Sequence, residues 1–188
     1  QPVLLRTTTR INHSNAFVTF GDVKPPMTKG RFEKDPMRCV TVPAVSRGLH
    51  VKVLEKMDKA RKIGEESAFN IASGNGKFGI VTSGVSYHYA VDAVADLAIE
   101  DQTSILRIGF SHPLPGAKIK SFLAGCDKVL VVEEGEPYLE ESVKAFAQEA
   151  GITIPIQGKS DTLFSRLSEY DPAMVREKTA QYFGIDYI

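Results

Sequence analysis

Side chains able to do chemistry gather at three places in this sequence. Glu133-Glu134 directly follows the apolar run Val129-Leu130-Val131-Val132. A carboxylate at the end of such a run can face a crevice as an acid or base, because burial and neighbouring charge move its pKa. The commoner alternative is structural: a carboxylate placed there accepts from loop amides or caps the next helix, here together with Glu136. Ser83-Gly84, with Tyr87 and His88 just beyond, ends a second apolar run, and Gly84 is adequately explained by a turn that needs a small residue. His112 opens His112-Pro113-Leu114-Pro115-Gly116 after a third run. Ser83, Gly84, Tyr87, His112, Glu133 and Glu134 are therefore the candidate lining of a crevice. The residues assign no catalytic group, no cofactor ligand and no metal ligand.

Other strings imitate known sites and fail on context. Gly74-Asn75-Gly76-Lys77-Phe78-Gly79 has GxGxxG spacing. A dinucleotide fingerprint needs a strand before it and a helix after it, so that phosphate meets a helix N-terminus. This one precedes the first expected strand and reads as a flexible loop. Gly158-Lys159-Ser160 resembles the tail of a phosphate-binding P-loop, but the glycine required five positions earlier is Thr153, within an expected strand. His13, His50, His88 and His112 are too scattered to assign a metal site. Cys39 and Cys126 are far apart in sequence, which argues against both a disulfide framework and a cysteine-based metal knuckle. The sequence contains no HExxH, GxSxG or CxxC motif. The sequon Asn12-His13-Ser14 carries no weight without a secretion signal.

A chain of 188 residues with 43% hydrophobic and 24% charged side chains can bury a sizeable core, and its zero net charge argues against disorder. No apolar run approaches the ~20 residues needed to cross a bilayer. The first residues lack the layout of a signal peptide, so the composition points to a cytoplasmic globular protein. The chain opens on Gln1 rather than Met, which suggests a piece of something longer. Charge is uneven: residues 24–66 hold eleven Lys/Arg against six Asp/Glu, whereas 67–188 hold ten against sixteen. Basic residues in the first stretch alternate with acids and aromatics are scarce, so a solvated helix face is the better reading than a nucleic-acid surface.

The elements that must carry the candidate residues follow from periodicity. Gln1 to Arg6 could form a strand, and Lys24 to Gly30, with Pro25-Pro26, reads as an extended linker. A helix is expected over 44–63: Pro43 suits its first turn, and Leu49, Val53, Met57 and Ala60 form one apolar stripe. Strands are expected at Phe78–Gly84, Thr103–Phe110, Lys128–Glu134 and Ile152–Ile156. Helical stripes run between and after them, through Tyr87 to Ala98, Ile119 to Leu123, Leu139 to Ala150 and Val175 to Phe183. Lys128–Glu134 is apolar on both faces, as in a strand inside a parallel sheet. Four alternations of strand and helix specify an α/β domain of three layers, α/β/α, with a mostly parallel sheet. Ligands of such sheets sit at the carboxyl ends of the strands, where the six candidates fall.

Taken in order, several strings resemble one family. Pro2-Val3-Leu4-Leu5-Arg6-Thr7-Thr8-Thr9-Arg10-Ile11-Asn12-His13-Ser14 is similar to the end of the pyrimidine-binding domain in the large subunit of indolepyruvate ferredoxin oxidoreductase. Lys34-Asp35-Pro36, Val42-Pro43-Ala44, Leu49-His50 and Leu54-Glu55-Lys56 continue the match. Gly79-Ile80-Val81-Thr82-Ser83-Gly84-Val85-Ser86-Tyr87, Pro113-Leu114-Pro115, Asp127 through Glu134 and Glu136-Pro137 complete it. The resemblance implies three regions: the tail of a pyrimidine-binding domain (1–23), a linker with a basic amphipathic helix (24–66), and a transketolase C-terminal-like α/β domain (67–188). The family implied uses thiamine diphosphate with magnesium to decarboxylate aryl pyruvates oxidatively, the thiazolium ring serving as electron sink. Electrons then pass through [4Fe-4S] clusters to ferredoxin, and coenzyme A receives the acyl group.

The family's diphosphate- and magnesium-binding signature and its cysteine-rich region are absent from these residues. Neither His13 with Arg10 nor Glu133-Glu134 inherits a role from the resemblance. The expectation is thus a non-catalytic, architectural portion of the enzyme, with no cofactor bound by this chain itself. Its expected partners are the remaining domains of the same subunit and the smaller (beta) subunit, with no nucleic acid and no membrane. Two alternatives stay open. One is a segment of another thiamine-dependent 2-oxoacid oxidoreductase or a transketolase relative. The other is a stand-alone module binding coenzyme A or a nucleotide in the crevice near Ser83, His112 and Glu134.

Overall fold

The structure, a computed structural model, describes residues 3–5, 7, 9–25, 30–160 and 162–186. The chain divides into two units, Gln1–Thr41 and Val42–Ile188. In the first, helices α1 (Thr9–His13) and α2 (Pro36–Cys39) are short, and the described side chains are exposed. Gln1, Pro2 and Arg6 of the expected first strand lie outside the described residues, as do 26–29 of the expected linker. Val3–Leu5 are irregular and exposed.

The second unit begins with α3 (Pro43–Glu66), which has proline in its first turn as expected. Its apolar stripe stays half open: Val53 is 51% exposed, and Gly64 is the helix's buried residue. What fixes α3 is its last turn. The Glu65 carboxylate accepts from the amides of Ala117 and Lys118 at 2.8 and 2.9 Å, at the start of a later helix. Buried Asn70 donates to the carbonyls of Gly64 and Phe110 and accepts from the amides of Gly109 and Phe110. One amide side chain thereby joins the end of α3 to the segment after the third strand.

The sheet holds β1 (Asn70–Gly74), β2 (Phe78–Ser83), β3 (Thr103–Ile108), β4 (Lys128–Val132) and β5 (Ile156–Gln157), in the order β1-β3-β2-β4-β5. β3, β2, β4 and β5 run parallel, and β1 pairs antiparallel with β3 at one edge. Helices α4 (Ser86–Asp96) and α7 (Pro172–Phe183) cover one face, over Ile80, Ile105, Leu130 and Val132. Helices α5 (Gly116–Leu123) and α6 (Tyr138–Glu149) cover the other, over Val81, Leu106, Val129 and Val131. The three-layer α/β/α architecture with a mostly parallel sheet is thus observed. Burying a side chain such as Ile80 or Leu130, both fully inaccessible, contributes roughly 2 kcal/mol.

Two expectations need correction. Ile152–Ile156 is not a strand: only Ile156–Gln157 pairs, with Val129 and Leu130. Pro155 has no amide proton to add to a ladder, and it contributes its carbonyl alone, to the Val129 amide at 2.8 Å. β1 is a strand that the sequence reading did not expect, and the glycine string read as a loop makes the tight turn between β1 and β2. A Cβ at Gly76 would lie 1.8 Å from the Gln102 carbonyl carbon, so this glycine lets the turn press against the chain entering β3. β1 escapes sequence detection because, of its five residues, only Asn70 is buried.

Candidate functional site

The connection from β2 to β3 carries α4 on one face; the next, from β3 across β2 to β4, carries α5 on the other. The carboxyl end of β2, between those of β3 and β4, is therefore the topological switch point, where open α/β sheets place their ligands. All six sequence candidates sit at this end of the sheet, but the structure does not bring them together as one group.

Glu133 and Glu134 leave β4 toward opposite faces. Buried Glu133 accepts from the Leu139 and Glu140 amides at 2.7 and 2.8 Å, capping α6 with both oxygens. Burial pushes its carboxyl above the ordinary glutamate value, against the lowering effect of those two amides. Glu134 accepts from the Tyr170 amide at 2.9 Å, just before α7. Glu136 pairs with Arg166 rather than joining the cap. His112 is exposed, its Nδ1 3.5 Å from the Tyr138 hydroxyl. Ser83 is half-buried, and Gly84 turns the chain into α4 at φ +60°. Tyr87 in the first turn of α4 lies under the Arg107 guanidinium, 5.1 Å from ring centre to Cζ, and edge-on to His88.

The groups that dominate the β4 end were missed. Glu140, in the first turn of α6, is completely buried. It accepts from the amides of Lys159 and Ser160 at 2.6 and 3.0 Å and from the Ser160 hydroxyl, and it pairs with Lys144 at 2.8 Å. Burial alone would raise its pKa, but the Lys144 ammonium, the Ser160 hydroxyl and the two amides hold the carboxyl below its usual range. Lys159 is 4% exposed and donates to the Ser165 carbonyl at 2.8 Å and to the Tyr170 hydroxyl. Desolvation lowers its pKa, although four surrounding glutamates oppose the shift. Burial, then the charges of Glu133, Glu134 and Glu140, raise that of Tyr170. The Gly158-Lys159-Ser160 string thus serves a buried polar knot rather than a phosphate. Its carboxylates and ammonium are turned onto the chain's own amides, carbonyls and hydroxyls, and fasten the segment 158–171 across the end of β4.

Two sequence signals marked polar residues at these strand ends. Glu140 falls on the apolar side of its helix, three and seven positions before Val143 and Ala147. Arg107 interrupts the apolar run of β3, two positions after Ile105 on the same face.

Among the described residues the side chains form neither a magnesium site nor an iron–sulfur site. Among the described residues no three His, Cys, Asp or Glu side chains cluster so as to hold a metal. The two thiols are fewer than the thiolates a cluster of that kind takes. Cys126 donates to the Phe122 carbonyl at 3.3 Å, and burial, set against Lys77 and reinforced by Asp127, pushes its pKa up to about 11. Among the described residues no helix is long and apolar enough to cross a membrane.

Residues 70–185, from the first residue of β1 to just past α7, match the sequence model of the indolepyruvate oxidoreductase domain. The chain belongs to that family. It is 37% identical over 186 residues to indolepyruvate oxidoreductase subunit IorA of Methanothermobacter thermautotrophicus, covering 97% of this chain and 30% of the relative. It is 39% identical over 191 residues to the subunit of the same name in Thermococcus kodakarensis, covering 98% and 29%. The chain therefore spans just under a third of the length of the curated relatives it matches. Among solved structures, the 2-oxoglutarate:ferredoxin oxidoreductase from Magnetococcus marinus superposes with a TM-score of 0.51 at 19% identity. That match covers 74% of this chain and 23% of the other, and the likeness is one of fold.

Proposed function

We propose that this chain is a structural, non-catalytic portion of a thiamine-diphosphate-dependent oxidoreductase that decarboxylates aryl pyruvates such as indolepyruvate to acyl-CoA and delivers the electrons to ferredoxin. In this reading 67–188 is the transketolase C-terminal-like domain, 24–66 the connection with its basic helix, and 1–23 the end of the pyrimidine-binding domain. Thiamine diphosphate, magnesium and [4Fe-4S] clusters belong to other parts of the enzyme. The partners are those other domains, the smaller subunit, ferredoxin and coenzyme A, in the cytoplasm. Family membership supports the reaction class. One observation supports the architectural role: Glu133, Glu140 and Lys159, the buried ionisable groups of the β4 end, are bonded to the chain's own groups. A carboxylate with both oxygens on backbone amides is not free to move a substrate proton.

What this chain contributes is placement. Glu65, Asn70, Glu134 and Glu140 bind elements to one another across long sequence separations, giving a stiff body against which cofactor-bearing domains can be held. Calorimetry of the chain with thiamine diphosphate and magnesium tests the reading. No binding is expected from the chain alone, while the complete enzyme, with its smaller subunit, reduces ferredoxin at the expense of indolepyruvate. Micromolar binding of the cofactor by the isolated chain, or turnover of any 2-oxo acid by it, would overturn the proposal.

A further inference from the structure

The carboxyl ends of β2 and β3 hold polar groups that the fold does not use. Thr82 and Arg107 are register partners on these neighbouring parallel strands. Side chains alternate along a strand: Ile80 and Ile105 lie in the core beneath α4 and α7, and Val81 and Leu106 in the opposite core, so Thr82 and Arg107 face α4. The stacking of Arg107 on Tyr87 of α4 shows the same. Thr82 is fully buried, and its hydroxyl has no hydrogen-bond partner. Arg107 is half-buried and has no carboxylate partner among the described residues. Native folds rarely leave either condition unexplained, and an unfilled ligand position is one explanation.

The start of α4 completes the arrangement. Its N-cap, Val85, offers no side-chain acceptor, and its first turn contains no acid. The amide of Tyr87 reaches the Gly84 carbonyl only at 3.4 Å. A Cβ at Gly84 would meet nothing within 4 Å, so the space over this turn is open. The acid of this helix nearest its start, Asp92, lies beyond the first turn, and Glu134 of β4's end is bonded to the Tyr170 amide. An uncapped helix start, a guanidinium and a hydroxyl donor thus lie together at these strand ends, and the nearby carboxylate of Glu134 is engaged by the Tyr170 amide. Helix N-termini favour anions, and the planar guanidinium matches tetrahedral oxyanions with two parallel hydrogen bonds.

We propose that Arg107, Thr82 and the opening turn of α4 form a binding site for a phosphate-type oxyanion, either free or as the phosphate of a small ester. The site stands on these groups alone and does not depend on the proposed role in 2-oxo acid oxidation. Arg107 would hold the anion in bidentate fashion, the Ser86 and Tyr87 amides would point at it, and the Thr82 hydroxyl would gain its missing acceptor.

Amide-resolved NMR of the 188-residue chain tests this, with inorganic phosphate and a nucleoside monophosphate titrated separately against chloride at equal ionic strength. Saturable shifts at residues 84–88 are expected with at least one probe. Tighter binding of the ester identifies an esterified ligand, and equal binding identifies the free anion as sufficient. Affinity is expected to fall about tenfold or more in Arg107→Gln, the scale of losing a charge-assisted pair, and by less in Arg107→Lys, which keeps charge but not the fork. Thr82→Val weakens binding while leaving the fold intact. Arg166→Gln, on the segment across β4, leaves affinity unchanged. Absence of saturable shifts at 84–88 with both probes overturns the site, and this result does not depend on any variant folding. Equal affinity in wild type and Arg107→Gln, or a loss in Arg166→Gln as large as in Arg107→Gln, overturns it as well.

Discussion

Two neighbouring strand ends of the same sheet treat polar side chains in opposite ways. At the end of β4, three glutamates, a lysine, a serine and a tyrosine bond to one another and to backbone, and a covering segment closes over them. At the ends of β2 and β3, a hydroxyl is buried without a partner and a guanidinium has only an aromatic ring beneath it. The first arrangement is what a fold uses to hold itself; a satisfied polar network fixes one geometry, and breaking any member leaves the others stranded. The second costs stability as it stands. The difference teaches that the residues most suggestive in sequence, the paired glutamates, are taken up by the chain's own amides, while those worth testing for ligand are the plainer Thr82 and Arg107.

The largest test of this contrast is Glu140→Ala. It strands the Lys159 and Ser160 amides and removes the Glu140 partner of Lys144, and should cost about 3 kcal/mol in urea unfolding. Glu140→Gln keeps one acceptor and should cost less. A loss below about 1 kcal/mol for the alanine variant would mean the two strand ends do not differ in kind. Next comes Gly158→Ala, whose new Cβ would sit 2.7 Å from a Glu140 oxygen and 3.1 Å from the Val131 carbonyl. Neither neighbour is a free-swinging chain end, so about 2 kcal/mol of destabilisation is expected, read by the same unfolding midpoint.

A smaller effect separates the two buried carboxylates by pH. Glu140 is held below the ordinary 4.5, so its stabilising contribution is complete above 4.5 and is lost as pH falls through its lower folded value. Glu133 is raised above 4.5, so its contribution is present below 4.5 and is lost as pH rises through its folded value. The penalty of Glu140→Gln should therefore shrink on acidification below 4.5, whereas that of Glu133→Gln should shrink as pH rises above it. Parallel profiles for the two variants, measured by unfolding midpoint across this range, would show that the carboxylates share one environment.

Much of the fold was legible because its central strands are apolar on both faces. Ile80-Val81 and Val129-Leu130-Val131-Val132 need cover on two sides, and the helical stripes between them provide it. The edges were not legible. β1 buries only Asn70 and so lacks the alternation that marks a strand, whereas the alternating run from Ile152 misleads because Pro155 leaves only Ile156–Gln157 to pair. Of the paired glutamates, the favoured reading, bonding to loop amides or capping the next helix, is what they do, but which of them does which was not legible. Glu133 and Glu134 are adjacent in sequence, yet the strand's alternation sends one to α6 and the other to the segment before α7. Glu140, Lys159 and Tyr170 come from a helix and two points of one covering segment, and no short motif joins residues that meet only after folding.

The smallest expected effect bears on the open strand end. Thr82→Val replaces a buried, unpartnered hydroxyl with a methyl of nearly the same volume, in a layer that already holds Ile80 and Val132. An exchange of Thr for Val usually costs stability because it breaks the hydroxyl's hydrogen bond; here there is none to break. Without ligand the variant should therefore be more stable, by about 1 kcal/mol, the desolvation cost of an unsatisfied hydroxyl. In phosphate buffer the gain should shrink, because the wild-type hydroxyl then has an acceptor and ligand binding stabilises the folded wild type more than the variant. Thermal midpoints of both proteins in chloride and in phosphate at equal ionic strength measure this. A variant that is destabilised in chloride would show that Thr82 is already satisfied, and the contrast between the two strand ends would then fail at its weaker side.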